Sequence, residues 1–251
     1  MAWVESVSPS FRARHCTADS DDADRVLYSL ERVRAELKRV FPCTIGEITV
    51  VLHPGFVGLS LTNPLLPLVW LQTAPAARRY VAGWAGPREI HVLAPSALER
   101  RASNVPGSRE MLELTPAALY ARRVIAENNG ELRQARAPVR AALELRWAWL
   151  LEGGARWLAG QTEHARPAIT CRLRERRRPA FPPGPRDAAL LGATVLDLLA
   201  REEGDAAAVR FVCRLHPRGP RAALSEAFRG RTLAHTEGAW RSHLARLASA
   251  L

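Results

Sequence analysis

The chain of 251 residues contains a single lysine, Lys38, so arginine supplies almost all of its 36 basic side chains. Cysteine is also scarce, and its four positions lack CxxC spacing, so neither a zinc ribbon nor a disulfide framework is indicated. Proline, glycine or charge interrupts every apolar run before the ~18 residues that a membrane span requires. The N-terminal residues lack the basic-then-apolar order of a signal peptide, so we expect a cytoplasmic protein without a membrane span.

Three widespread catalytic signatures are missing as well. Residues 58–62 (GLSLT) lack the second glycine of a G-x-S-x-G nucleophile elbow. No G-x-x-x-x-G-K-[ST] loop is present, and no G-x-G-x-x-G follows a predicted strand. Cys213 and His216 are three residues apart, a spacing that is not by itself a nucleophile–base signature. The sequence therefore offers no serine-hydrolase elbow, P-loop or dinucleotide fingerprint.

What the chain has in excess is positive charge, with a formal net charge of +11. Such an excess suits contacts with phosphates, and a basic nucleic-acid-associated protein is one alternative. The arginines are spread along the whole chain, however. The densest run, residues 172–186, offers only one aromatic side chain, Phe181, for stacking on bases. We therefore do not expect nucleic acid to be the partner.

The hydrophobic fraction of 47% is typical of a folded domain, and its periodicity predicts a small sheet early in the chain. Residues 20–22 (SDD) open a helix whose apolar positions repeat every three or four residues until Pro42. Two β-branched segments, 47–53 and 88–94, are predicted strands. Between them we expect a long connection with a short strand or a turn of helix.

The remainder of the chain is predicted to be helical. A helix begins at Ser108 or at Thr115, and Thr115-Pro116 favours the later start because proline suits the first helical position. The further predicted segments are helices at 139–158, 187–203, 206–215 and 239–251, a segment at 221–228 between the last two, and a loop at 160–186. The fold class is thus α+β, with one domain made of an α/β part (11–107) and a helical part (108–251).

One short motif within this layout is similar to a motif of a known protein family. Residues 149–155 read WLLEGGA, and Trp157 follows. Together with an early helix, a few strands and trailing helices, this motif resembles the gluzincin-like (thermolysin-type, peptidase MA-like) zinc metallopeptidases over residues 11–248. In that family the glutamate of W-x-x-E-G-x-A is the third zinc ligand, so the resemblance implies that role for Glu152. The strand that contains His91 would then be the sheet edge that lines the cleft.

The signature that supplies the other zinc ligands, H-E-x-x-H, is missing. It requires two histidines four residues apart on one helical face, and none of the seven histidines has such a partner. The segment most similar to this signature is 112–116 (LELTP), which retains Glu113. An alternative alignment places the position of the signature within 118–124. Glu152 alone would not hold a catalytic zinc, so we expect no zinc and no other cofactor.

Glu152 also has a purely structural interpretation. It precedes Arg156 by four residues, an order that stabilises a helix by ~0.2–0.5 kcal/mol. The pair Gly153-Gly154 weakens the helix and predicts the close approach of another backbone, which the resemblance identifies as the helix that lost its histidines. Trp147 and Trp157 are predicted to be core residues, with Trp149 on the same face as Glu152.

Our leading hypothesis is therefore a catalytically inactive, metallopeptidase-like protein with a binding or structural role. Its partner would be an unidentified ligand or protein, bound in the cleft that corresponds to the active-site cleft of that family. One alternative is a peptidase with an atypical active site built from Glu152, Glu113 and His91. The other is the basic nucleic-acid-associated protein considered above.

Overall fold

The computed structural model describes residues 2–249. It has the α+β architecture that the sequence predicts, with a five-stranded mixed sheet built from residues 3–93 and a mainly helical part after it. Within residues 2–249, no helix combines the length and the apolar character needed to cross a bilayer.

The sheet has the strand order β1-β2-β3-β5-β4. Strands β2, β3 and β5 run parallel, and the two edge strands, β1 and β4, are antiparallel to their neighbours. The strands are β1 (Trp3–Val7), β2 (Phe11–Cys16), β3 (Ile48–His53), β4 (Gly83–Ala85) and β5 (Glu89–Leu93). The two predicted strands are confirmed as β3 and β5, each within a residue of its expected bounds.

The first two strands were not predicted. In β2, Phe11 and Ala13 are buried while Arg12 and Arg14 are exposed, so the strand alternates as a half-buried strand should. Its sequence FRARHC nevertheless has too few apolar residues for that alternation to be read directly. Strand β1 is almost fully exposed and belongs to the sheet only through its pairing with β2.

Helices of the first part pack against this sheet, α1 on β1 and β2, and α2 on β3 and β5. Helix α1 begins where the SDD segment predicts and buries Val26, Leu30 and Leu37. The stretch between β3 and β5, which we expected to be a connection, holds three helices as well as β4. The helices of this part are α1 (Ser20–Lys38), α2 (Phe56–Thr62), α3 (Leu66–Gln72), α4 (Pro75–Arg78) and α5 (Pro95–Leu98).

The second part contains eleven helices within the described residues. They are α6 (Ser108–Glu113), α7 (Thr115–Glu127), α8 (Gly130–Gln134), α9 (Ala137–Arg146), α10 (Ala148–Leu158), α11 (Gln161–His164), α12 (Arg166–Leu173), α13 (Ala188–Glu203), α14 (Asp205–Val212), α15 (Pro220–Ala227) and α16 (Leu233–Ser249).

Four predictions for this part differ from the structure in detail. Both proposed helix starts, Ser108 and Thr115, are used, by α6 and α7. The predicted helix at 139–158 is two helices, α9 and α10, which are separated by the fully buried Trp147. The predicted loop at 160–186 contains α11 and α12. The last helix begins at Leu233, six residues early, and its predicted end at Leu251 lies outside the described residues.

The contact between α10 and α13 explains the first glycine of the pair in the WLLEGGA motif. A Cβ atom added to Gly153 would lie 2.6 Å from the Cα of Gly192, and one added to Gly192 would collide with the carbonyl oxygen of Trp149. The predicted approach of a second backbone is therefore confirmed. The backbone that approaches Gly153 is that of α13, whereas α7, the helix that the family resemblance implies, meets the pair only at Gly154, through the side chain of Ile125.

We predict that Gly153→Ala destabilises the protein by about 2 kcal/mol or more, because two helix backbones would have to move apart. The measurement is urea unfolding followed by circular dichroism. Gly238→Ala is the matched control, since Gly238 is also helical but exposed and a Cβ there would meet no atom. That control should be neutral or stabilising by up to about 1 kcal/mol. Equal effects of the two substitutions would contradict the packing role of Gly153.

Candidate functional site

A cleft of about 450 Å³ lies between the edge of the sheet and the helical part. Strand β4 forms one side, α7 and α10 form its floor, and α3 borders its opening. The glutamate of the WLLEGGA motif, Glu152, lines this cleft together with residues from all four elements. Because β4 lies between the cleft and β5, the prediction that the His91 strand would be the sheet edge is wrong.

Glu152 faces an arginine across the cleft floor. Its Oε1 accepts a hydrogen bond from Nε of Arg122 on α7 at 2.5 Å. The same guanidinium donates from Nη2 to Glu144 at 3.4 Å, and Arg140 donates to the other oxygen of Glu144 at 2.9 Å. The two carboxylates and two guanidinium groups thus form one alternating network.

The protonation of this network follows from its charges. The Glu152 carboxylate raises the pKa of Arg122, and Glu144 acts in the same direction, although burial opposes both. Burial would raise the pKa of Glu144, but Arg122 and Arg140 together lower it. Arg122 and Glu144 are therefore held in their charged forms, and the cation beside Glu152 is one that the chain itself supplies.

The residues around Glu152 do not fit a zinc ion. A zinc site needs histidine, cysteine or carboxylate donors, usually at least three from the protein. Across residues 2–249, no three such side chains are grouped in a way that could hold a metal. The nearest charged group to Glu152 is a guanidinium, which has no lone pair to donate and repels a divalent cation.

Arg156 does not form the predicted pair with Glu152. It donates from Nη1 to the side-chain oxygen of Gln161 at 2.9 Å, and Gln161 in turn donates to the carbonyl of Met111 at 2.6 Å. Burial lowers the pKa of Arg156, while the charge of Glu152 opposes that shift. The cleft therefore holds an arginine whose only hydrogen-bond partner among the described residues is a neutral amide. Nearby, Thr115 also lines the cleft and has a buried hydroxyl with no hydrogen-bond partner in the described chain.

The tryptophans near the motif belong to the core, but in a different arrangement from the predicted one. Trp147 is buried as predicted, and Trp149, which was placed on the face of Glu152, is buried too. Trp149 packs against Phe211, with ring centroids 6.0 Å apart. Trp157, predicted as core, is only half-buried. None of the three lines the cleft.

His91 lies on the sheet face that points away from α7 and α10. Its neighbour across the β4 pairing is Trp84, on whose ring it stacks with centroids 4.3 Å apart. Its Nδ1 is 3.0 Å from Nε2 of His53, and its Nε2 is 3.2 Å from a carboxylate oxygen of Glu89. Burial lowers the pKa of both histidines, and for His53 the positive charge of His91 adds to the effect and brings the pKa to about 4.

Glu113 lies at a third place. It is exposed at the end of α6 and is paired with Arg109 at 2.8 Å. It lines a separate pocket of about 360 Å³ whose opposite side is α1, with Arg25 and Arg32. The structure therefore does not bring Glu152, Glu113 and His91 together. Sequence reasoning missed Arg122, which lies within the register 118–124, and assigned Arg156 to Glu152 instead of Gln161.

Searches of protein-family models, curated proteins and solved structures find no match to this chain. The site is consequently defined by its own geometry. Its distinguishing features are a carboxylate neutralised by Arg122, a second arginine with a neutral partner, and an open sheet edge beside them.

We predict that Arg122 and Glu152 stabilise the fold through each other. A double-mutant cycle with Arg122→Met and Glu152→Gln, measured by urea unfolding, should give a coupling energy of about 1–2 kcal/mol. The control is the cycle for Arg241 and Glu237, an i,i+4 pair on the surface of α16, where we expect only about 0.3–0.5 kcal/mol. Additive effects of the Arg122 and Glu152 substitutions would show that the network contributes no pairwise stability.

We also predict that His53 makes the fold sensitive to mild acid. Its pKa of about 4 in the folded chain lies below the ordinary value of 6.5, so the unfolded chain binds more protons between these values. Stability is therefore complete above pH 6.5 and falls as the pH decreases toward 4, by up to about 1 kcal/mol per pH unit. Denaturant unfolding between pH 4 and 8 should show a smaller fall for His53→Leu, and an unchanged fall for the exposed control His235→Leu.

Proposed function

We propose that this protein is a gluzincin-like domain that has exchanged metal chemistry for binding, and that its ligand is a peptide held in the cleft of Glu152. The observation that carries the proposal is the Arg122–Glu152 ion pair. It puts a fixed positive charge beside the carboxylate that the resemblance assigns to zinc.

The arrangement of elements supports the gluzincin-like interpretation. A mixed sheet ends in an antiparallel edge strand, and α7 and then α10 follow it in the chain. Four positions of α7 line the cleft, and after Thr115 they are Ala118, Leu119 and Arg122. This spacing matches H-E-x-x-H in the register 118–122, where alanine, leucine and arginine would replace the first histidine, the glutamate and the second histidine. The other register, 112–116, lies at the junction of α6 and α7.

This substitution pattern explains why zinc would be dispensable. In the family the metal supplies the positive charge that balances the glutamate. Here Arg122 supplies that charge, and no glutamate stands where the catalytic base would be. The residues present hold the cleft in shape but provide neither a metal-activated water nor a base to accept its proton.

Two features support a peptide as the ligand. Among the described strands, β4 pairs only with β5, so its outer edge offers backbone donors and acceptors along the cleft. An extended peptide can add to such an edge as a further strand. Beside this edge, Arg156 offers a guanidinium that no carboxylate of the described chain engages in a salt bridge, which suits an acidic side chain or a carboxyl terminus.

The proposal is tested with immobilised full-length protein and a mixture of octapeptides with free carboxyl termini, analysed by mass spectrometry with and without added Zn²⁺. We expect intact peptides, enriched in carboxylates, to be retained by the wild type. Arg156→Gln should retain them about tenfold less, because it loses one charge-assisted hydrogen bond. The control Arg210→Gln changes an arginine on α14 that does not line this cleft.

Peptide cleavage that requires zinc and is lost in Glu152→Gln would overturn the proposal in favour of the atypical peptidase. Retention that is equally weak in the wild type and in both variants would remove the peptide ligand. Saturable zinc binding measured by calorimetry, abolished by Glu152→Gln, would contradict the exchange of metal for arginine.

A further inference from the structure

Residues 48–77 contain no aspartate, glutamate, lysine or arginine, in a chain of which 24% is charged. This segment includes β3, which is buried, and the helices α2 and α3, which lie at the surface. Its only titratable side chain is the buried His53. An uncharged segment is ordinary in a core, but it is unusual for two helices on the outside of a protein.

The apolar side chains of α2, α3 and the turn between them point outward. Among the described residues, six of the fourteen exposed large apolar side chains lie within 57–71, and each is 50–80% exposed. They are Val57, Leu61, Leu65, Leu68, Val69 and Leu71. The buried side of the same helices is contributed by Leu59 and Leu66. A cluster of this kind marks a contact site for another apolar phase.

Positive charge adjoins the end of this surface. Arg78, Arg79, Arg100 and Arg101 surround Trp70 of α3 in one shallow depression. Within residues 2–249, none of these four arginines forms a salt bridge with a carboxylate. Arg78 lies over the ring of Trp70, 4.9 Å from its centroid, and donates to the carbonyl of Leu71 at 2.9 Å. The cluster is thus attached to α3 and is not compensated by acidic side chains.

We propose that the α2–α3 surface docks on an anionic lipid bilayer. The exposed valines and leucines would enter the boundary between headgroups and acyl chains, with Trp70 at that boundary. The four arginines would contact anionic headgroups. Aliphatic side chains on one side of short helices, with an aromatic ring and arginines at the edge, provide both contributions that hold a peripheral protein on such a membrane.

Charge is what favours a bilayer over an apolar protein partner. A second copy of this chain seated on the same surface would bring its own four arginines to the interface, which favours repulsion. An anionic bilayer instead presents negative charge beside the apolar phase. The arginines and the exposed aliphatic side chains would therefore both find favourable contacts. The inference does not depend on the ligand of the Glu152 cleft.

The experiment is co-sedimentation of the full-length protein with vesicles of phosphatidylcholine, either alone or with about 30% phosphatidylglycerol. The buffer contains roughly 0.1 M salt, at which attraction between charges is only partly screened. We expect binding to the anionic vesicles that weakens as salt increases, and much weaker binding to the neutral ones. Each arginine near an anionic surface is worth about fivefold in the binding constant. Arg79→Gln with Arg100→Gln should therefore weaken binding about 20-fold.

The apolar contribution is tested separately. Val57→Ser with Leu61→Ser should weaken binding to anionic vesicles about tenfold or more. The matched control is Val7→Ser with Tyr28→Ser, which removes two side chains of similar exposure, 70% and 74%, from other surfaces. The matched charge control is Arg39→Gln with Arg214→Gln, two exposed arginines far from α3 in the chain. Both control pairs should bind as the wild type does.

Three outcomes would overturn the inference. The first is absence of binding to anionic vesicles at low salt. The second is an equal loss of binding in the test and control pairs, which would indicate nonspecific attraction by the net charge. The third is a wild-type dimer, detected by light scattering, that Val57→Ser with Leu61→Ser converts to monomer without affecting vesicle binding. Circular dichroism of every variant establishes that it is folded.

Discussion

The backbone contact between α10 and α13 is the constraint on which the cleft depends. Because Gly153 and Gly192 have no side chains, the two helices approach until a single added methyl group would collide with the opposite backbone. Successive residues of a helix are rotated by about 100°, so Glu152 projects in a different direction from Gly153. Its carboxylate meets Arg122 of α7 in the cleft, which α13 also borders through Ala188 and Ala189. Close packing of α10 on α13 at Gly153 thus leaves the preceding residue facing α7.

That placement requires compensation, since a carboxylate in a partly buried cleft is costly unless it is paired. Arg122 supplies the pairing from α7, and Glu144 and Arg140 extend it on the side of α9. The network explains how a glutamate can stay charged in this cleft with cations that the chain itself supplies. It also leaves Arg156 outside the pairing, with a neutral amide as its hydrogen-bond partner among the described residues.

The elements that sequence reasoning predicted well are those whose own residues carry the signal. Strands β3 and β5 are continuous β-branched runs, and α1 has a regular apolar stripe. Strands β1 and β2 were missed because their sequences are mostly polar. What makes them strands is their pairing, of β1 with β2 and of β2 with β3. The break at Trp147 was missed because α9 and α10 are continuous in propensity, and only the burial of that side chain separates them. His91 was assigned to the cleft because strand alternation does not reveal which face the helices cover.

By itself, the sequence determined the α+β class, the close approach at Gly153 and the lack of any H-E-x-x-H pair, since each follows from residue types at fixed local spacing. Only the tertiary structure decided that α13 is the helix at that glycine, that Arg122 faces Glu152, and that His91 points to the other side of the sheet. These are contacts between residues 30 or more positions apart, or a choice between two faces of one element. Local spacing defines the directions in which side chains project, but only packing decides what lies in each direction.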